Sequence, residues 1–212
     1  MVKYMGMRSI GNNIYISKTL SKDKEDEIIN TVRASKNIAA NFWGELRSDP
    51  TIIICSTESE FNAFGEYKSD ALTRVYPFGT YIVISPKNID ENIIAHEITH
   101  AELYERTGFI NNYKIPEWFH EGLAVLSTEK DINADTIRSK YDHATLNGKL
   151  KISLNDFSFS EKYYGFKDKY DIYYASSELE VANWYRKNNG RKALDSFINK
   201  MNAGCDFSKA FE

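Results

Sequence analysis

The run His96-Glu97-Ile98-Thr99-His100 constrains this chain more than any other feature. A helix advances about 100° per residue, so residues four apart stack on one face. His96 and His100 can then offer imidazole nitrogens to one metal ion. Glu97 lies beside that face, where a carboxylate can take a proton from water activated by the ion. The chain holds only four histidines, so two of them at metal-ligand spacing are not a by-product of composition. The bland alternative is a pair of ordinary helix histidines around a solvated Glu.

Two histidines leave a catalytic zinc site one protein ligand short of the usual three. The H-E-x-x-H-x-x-G-x-x-H route is closed, because Leu103 stands at the glycine position and Arg106 at that of the third histidine. The other route is a carboxylate from a following helix. Pro116-Glu117-Trp118-Phe119-His120-Glu121-Gly122-Leu123-Ala124 supplies one. Twenty residues separate His100 from Glu121, enough to end a helix, turn through residues 108–115 and begin another at Pro116. Proline suits a first helical turn, where its missing N–H is not needed. Glu121 would sit on the second turn.

H-E-x-x-H followed by W-x-x-E-G-x-A resembles the gluzincin metallopeptidases. The 118–124 segment is similar to that of the zinc aminopeptidases, and closer to the small bacterial peptidases of the MA-like superfamily. The likeness extends over roughly residues 50–212 and takes in the Tyr174-Ala175-Ser176-Ser177 run with Val181, Trp184, Gly190, Leu194, Gly204 and Ala210. It implies a zincin-like α+β fold. An N-terminal mixed sheet with the metal helix (1–107) would precede a mainly helical C-terminal subdomain (108–212) carrying the third ligand. It implies one Zn²⁺ per chain on His96, His100 and Glu121, with Glu97 as general base. Tyr174 matches the position of the family's oxyanion donor, and Tyr173 is the runner-up if the helix phase is off by one. The chain departs from its relatives too. No G-x-M-E-N segment precedes the metal helix. Val125 stands where an Asp would follow Glu121 by one turn. His120 replaces a frequent Asn, as a surface residue, a substrate contact or a support for the metal site. Peptide deformylases share H-E-x-x-H but need a cysteine ligand, and neither Cys55 nor Cys205 has the surroundings for it.

At 212 residues, with 42% hydrophobic and 14% aromatic content, the chain can bury one domain or two intimately packed subdomains. A net charge of −3 gives no argument for nucleic acid, and the basic stretch at 187–192 reads as a helix end. Two cysteines make no disulfide framework, though a Cys55–Cys205 bridge is open, and Cys55 reads as a small buried hydrophobe. No stretch is apolar enough to cross a membrane, and residues 1–20 lack the apolar core of a signal peptide. The expected location is the cytoplasm, the alternative being export from a longer precursor.

Residues 8–20 read as a strand or hairpin turning at Gly11-Asn12-Asn13. Ser21 is the expected cap of a helix running to Trp43 and ended by Gly44. Strands are expected at 51–55 and 80–85, with a short helix at 57–64 between them. Asn88 and Glu91 are spaced as a capping box for the metal helix. On its wheel, Glu91, Ala95, Thr99, Glu102 and Arg106 share one sector, expected to face solvent. Ile94, Ile98 and Ala101 lie on another side, and Ile89, Ile93 and Leu103 surround the histidines. Such a helix suits the floor of a cleft. Beyond 127 the chain reads as mainly helical, with helices at 175–186 and 191–201. Tyr163, Tyr164, Phe166, Tyr170, Tyr173 and Tyr174 precede or open them, as a loop covering the core or the wall of a substrate cleft. The strand at 80–85 is either an edge that holds an extended peptide or a central strand, given its continuous apolar run.

These residues permit hydrolysis of peptide bonds by activated water, with Glu97 taking the proton and Tyr174 donating to the tetrahedral oxygen. The partner is then a peptide or protein. Two other functions fit the same residues: a catalytically silent zincin-fold binding module, which the intact Glu97 speaks against, and a dedicated toxin or regulator cutting one protein. Substrate, cleavage position and oligomeric state are not encoded legibly.

Overall fold

The computed structural model describes residues 6–64, 70–155 and 167–212, the side chains of Lys167 and Asp168 excepted. It is an α+β protein whose described residues divide into two units, Met1–Phe109 and Ile110–Glu212.

The first unit is built on a mixed sheet of strands β1 (Met7–Gly11), β2 (Ile14–Ser17), β3 (Thr51–Ile54), β4 (Ala71–Tyr76) and β5 (Gly79–Ile84), in the order β1-β2-β3-β5-β4. The β1–β2 hairpin forms where it was expected. Asn12 and Asn13 both take positive φ, 49° and 58°, which is the demand of a two-residue turn matched to strand twist. β2, β3 and β5 pair in parallel, and β4 returns antiparallel to β5.

Register sorts the side chains into two faces. Tyr15, Ile53, Val83 and Leu72 stand in one cross-strand row. They pack with Met7, Cys55 and Phe61, the last from α2 (Glu58–Asn62), which Thr57 caps through Glu60 N–H. The opposite row runs Ile14, Ile52, Ile82, Thr73. This second face meets α1 (Asp23–Trp43) and α3 (Glu91–Asn112). Arg8 reaches Glu25 of α1 at 2.6 Å, and Thr73 reaches Glu97 of α3 at 2.5 Å. Strands buried on both faces explain their continuous isoleucines. Cys55 follows β3 in full burial, and the surrounding apolar atoms, then Glu60, push its thiol up to about 12. Both cysteines are free, so the bridge to Cys205 does not form.

Several local expectations change. The expected Ser21 cap is not used, because α1 begins from Lys22 with no side-chain cap. Helix α3 is capped by Asp90, whose carboxylate accepts N–H of Asn92 and Ile93 at 2.8 and 3.3 Å, and the Asn88–Glu91 box is displaced. Among the described strands β5 lies between β3 and β4, so the strand at 80–85 is central and β4 lies at an edge.

The largest correction concerns α3. Ala95, Thr99, Glu102 and Arg106, expected in solvent, are all buried. Trp43 Nε1 donates to Thr99 Oγ1 at 3.1 Å. Glu102 accepts main-chain N–H from Arg47 and Ser48, both at 2.6 Å, and Arg106 Nε at 2.8 Å. Arg106 also donates to the Glu45 carbonyl at 2.7 Å and lies over the Trp43 ring. A charged stripe is buried here because the segment after α1 brings a partner for each group.

In the second unit, α4 (Glu117–Ser127) starts from Pro116, which is extended at φ −66° and ψ 148° and so caps the helix instead of opening its first turn. Helices α5 (Ala134–Ala144), α6 (Lys167–Lys187), α7 (Arg191–Asn202) and α8 (Phe207–Phe211) follow. Helix α6 begins eight residues before the expected 175, so Tyr170, Tyr173 and Tyr174 are helical, not loop. Tyr163, Tyr164 and Phe166 lie outside the described residues. The core is aromatic. Phe119 of α4 packs against Trp184 and Phe197, and Phe211 stacks on Trp184 with centroids 5.2 Å apart. Among the described residues, no helix is long and apolar enough to cross a membrane.

Candidate metal centre

His96 and His100 sit one turn apart on α3, each half-buried. The start of α3 is fixed by Asp90 and its flank by the Trp43–Thr99 and Glu102–Arg106 contacts. Their Nε2 atoms are 3.2 Å apart, with ring planes at 80°. Two nitrogens bound to one tetrahedral zinc at about 2.0–2.1 Å stand roughly 3.3 Å apart, so the pair has ligand spacing. One imidazole can also donate to the other. A cation satisfies both lone pairs at once, and a carboxylate in addition.

That carboxylate is Glu121. Ligand atoms of His96, His100 and Glu121 all lie within 4.8 Å of one another, and the group could hold a metal ion. Glu121 is 9% exposed on the second turn of α4. Phe119 enters the aromatic core, and two residues turn the helix by about 200°, so anchoring Phe119 orients Glu121 the other way. The next residue must be glycine. A Cβ on Gly122 would come within 2.3 Å of the Ser177 carbonyl oxygen and 2.7 Å of Val181 Cγ2. Helix α6 therefore passes against α4 directly beside the carboxylate.

Glu97 is 8% exposed. Thr73 Oγ1 on β4 stands 2.5 Å from its Oε2 and 3.1 Å from its main-chain oxygen. Thr73 carries no sequence motif, and β4 is not among the strands expected from the sequence. The β-branched and aromatic residues Thr73, Val75 and Tyr76, ahead of the turn before Gly79, were the signal available for it.

The tyrosines lie on α6. Tyr173, Ser177 and Val181 recur at every fourth residue, are all fully buried, and form the stripe that meets α4. Burial, followed by the charges of Glu117 and Glu121, pushes the Tyr173 hydroxyl well above the usual phenol range. Tyr174 is half-buried, its ring centroid 6.0 Å from that of Tyr173. His120 is half-buried with Nε2 3.3 Å from the Asn112 carbonyl. Desolvation lowers its pKa against the raising effect of Asn112 and Glu121.

No protein-family model matches this chain, and no curated protein matches it either.

Proposed function

We propose that this chain is a zinc-dependent peptidase of gluzincin type, with a zincin-like fold. The observation that carries the reading is the convergence of His96, His100 and Glu121 within 4.8 Å, with Glu97 next in sequence to the first ligand. Two imidazoles and one carboxylate favour zinc over harder cations and leave a fourth position for water. When bound, such an ion lowers the pKa of water and polarises a carbonyl.

The chain's own residues do the remainder. Glu97 takes the proton of the attacking water and passes it to the leaving amine. Its burial and its contact with Thr73 keep the carboxylate in one place. Tyr174 is the candidate donor to the tetrahedral oxygen, and its partial exposure gives a substrate access that the buried Tyr173 lacks. An extended peptide would pair with β4, which lies at an edge of the sheet among the described strands.

The test has two parts. Elemental analysis after dialysis should give one zinc per chain in the wild type and a clear loss in His96→Ala. Glu97→Gln should keep its zinc and its melting temperature while peptide-library cleavage, read by mass spectrometry, falls about a hundredfold or more. Zinc lost in Glu97→Gln would make Glu97 a ligand and the base assignment wrong. Zinc bound by a wild type that cleaves nothing would point to a binding module.

A further inference from the structure

We propose that Thr73 is a positioning residue that ties substrate docking on the sheet edge to the general base, an inference that rests on the peptidase reading. Its side chain lies in the row with Ile82, on the face that meets α3. From there Oγ1 contacts both the carboxylate and the main-chain oxygen of Glu97, at 2.5 and 3.1 Å. A hydroxyl spanning the two ends of one residue restricts the torsions between them, so the Glu97 rotamer is set from β4 as well as from its own helix.

The main chain of Thr73 faces elsewhere. Ser85 N–H donates to the Asp70 carbonyl at 2.9 Å, which makes these opposed residues a hydrogen-bonded pair. Such pairs alternate along an antiparallel ladder. Leu72 with Val83 and Arg74 with Tyr81 are then bonded pairs, while Thr73 with Ile82 is not. The N–H and C=O of Thr73 therefore turn away from β5, toward the edge that β4 forms among the described strands. An extended peptide adding to that edge meets the main chain of the residue whose side chain holds the base. Its register is set against the Glu97 carboxylate through a single residue.

Thr73→Val keeps shape, β-propensity and main chain and deletes the hydroxyl. Thr73→Ser restores the hydroxyl. Misplacing a catalytic group by about 1 Å costs on the order of a hundredfold, so Thr73→Val should lower kcat about ten- to a hundredfold. KM should stay within about twofold, because the main-chain edge that receives the peptide is retained. Thr73→Ser should recover most of the loss, and Thr73→Val should add nothing in a Glu97→Gln background. A second readout needs no turnover. In the metal-free protein, NMR should show a slowly exchanging Thr73 hydroxyl proton, absent in Thr73→Val and shifted in Glu97→Gln. An unchanged kcat in Thr73→Val, a loss that Thr73→Ser does not restore, or a wild type that cleaves peptides without that resonance overturns the assignment of Thr73. A wild type that shows the resonance and binds zinc but cleaves no peptide overturns the peptidase reading, and the coupling with it.

Discussion

Tyr173 and Tyr174 are adjacent in sequence and about 100° apart on α6, and their surroundings separate the work each can do. Tyr173 is fully buried on the stripe that meets α4, so its hydroxyl belongs to packing near Glu117 and Glu121. Tyr174 is half-exposed, as the proposed donor must be. Tyr174→Phe should lower kcat about a hundredfold, near 3 kcal/mol of transition-state stabilisation, with zinc content and melting temperature unchanged. Tyr173→Phe should leave stability within about 1 kcal/mol of the wild type and spare turnover. Steady-state kinetics beside thermal melts of the two variants decide the matter. A reversed pattern moves the donor by one residue, and an unslowed pair sends the search to His120.

At the scale of elements, α4 and α6 approach closely beside the candidate ligand Glu121. With no room for a methyl group at Gly122, Gly122→Ala must part the two helices. Overpacking of this kind costs about 1–3 kcal/mol. Because Glu121 is the preceding residue, zinc affinity should fall along with stability, and zinc titration beside thermal unfolding would show the two losses together. Unchanged affinity in a destabilised variant would mean that Glu121 is placed independently of its helix. Much at this scale was legible in the sequence. The four-residue histidine spacing, the Gly11-Asn12-Asn13 turn and the isoleucine runs carry their periodicity locally. What was not legible depends on partners distant in the chain. Glu102 and Arg106 look solvated until the main chain at Arg47 and Ser48 is brought to them. β4 alternates weakly because one of its polar positions, Thr73, serves a helix residue instead of water. Asp90 outranked Asn88 as a cap by sitting at the residue where the helix starts. The start of α6 is hidden because the tyrosine-rich stretch before residue 175 shows no clear apolar period.

At the scale of the molecule, each unit has its own core, and the first has a polar clasp that acid should open. Burial raises the Glu60 pKa, but hydrogen bonds from Ser17 at 2.6 Å and from Ser56 at 2.7 and 3.0 Å outweigh it and hold the carboxyl below its ordinary value. A folded pKa below the unfolded one stabilises fully above the ordinary carboxylate range. That contribution drains away as pH falls through this range toward the folded value. Glu60 is part-exposed, so about 1 kcal/mol is the expected size. Denaturant titrations at pH 7 should show the wild type more stable than Glu60→Gln by that amount, with the gap closing in acid. A gap that persists at low pH would mean that shape, not charge, holds the clasp.

The two free thiols differ in a way that makes the protein its own reporter. Cys205 is half-exposed, while Cys55 is fully buried beneath the sheet with its thiol pushed up to about 12. Only thiolates react at useful rates, so a maleimide dye at neutral pH should mark Cys205 and leave Cys55 untouched. One fluorophore would then sit on the second unit of the unaltered chain. The slow arrival of a second equivalent would time the opening of the first unit's sheet, a clock for local unfolding that needs no engineered cysteine.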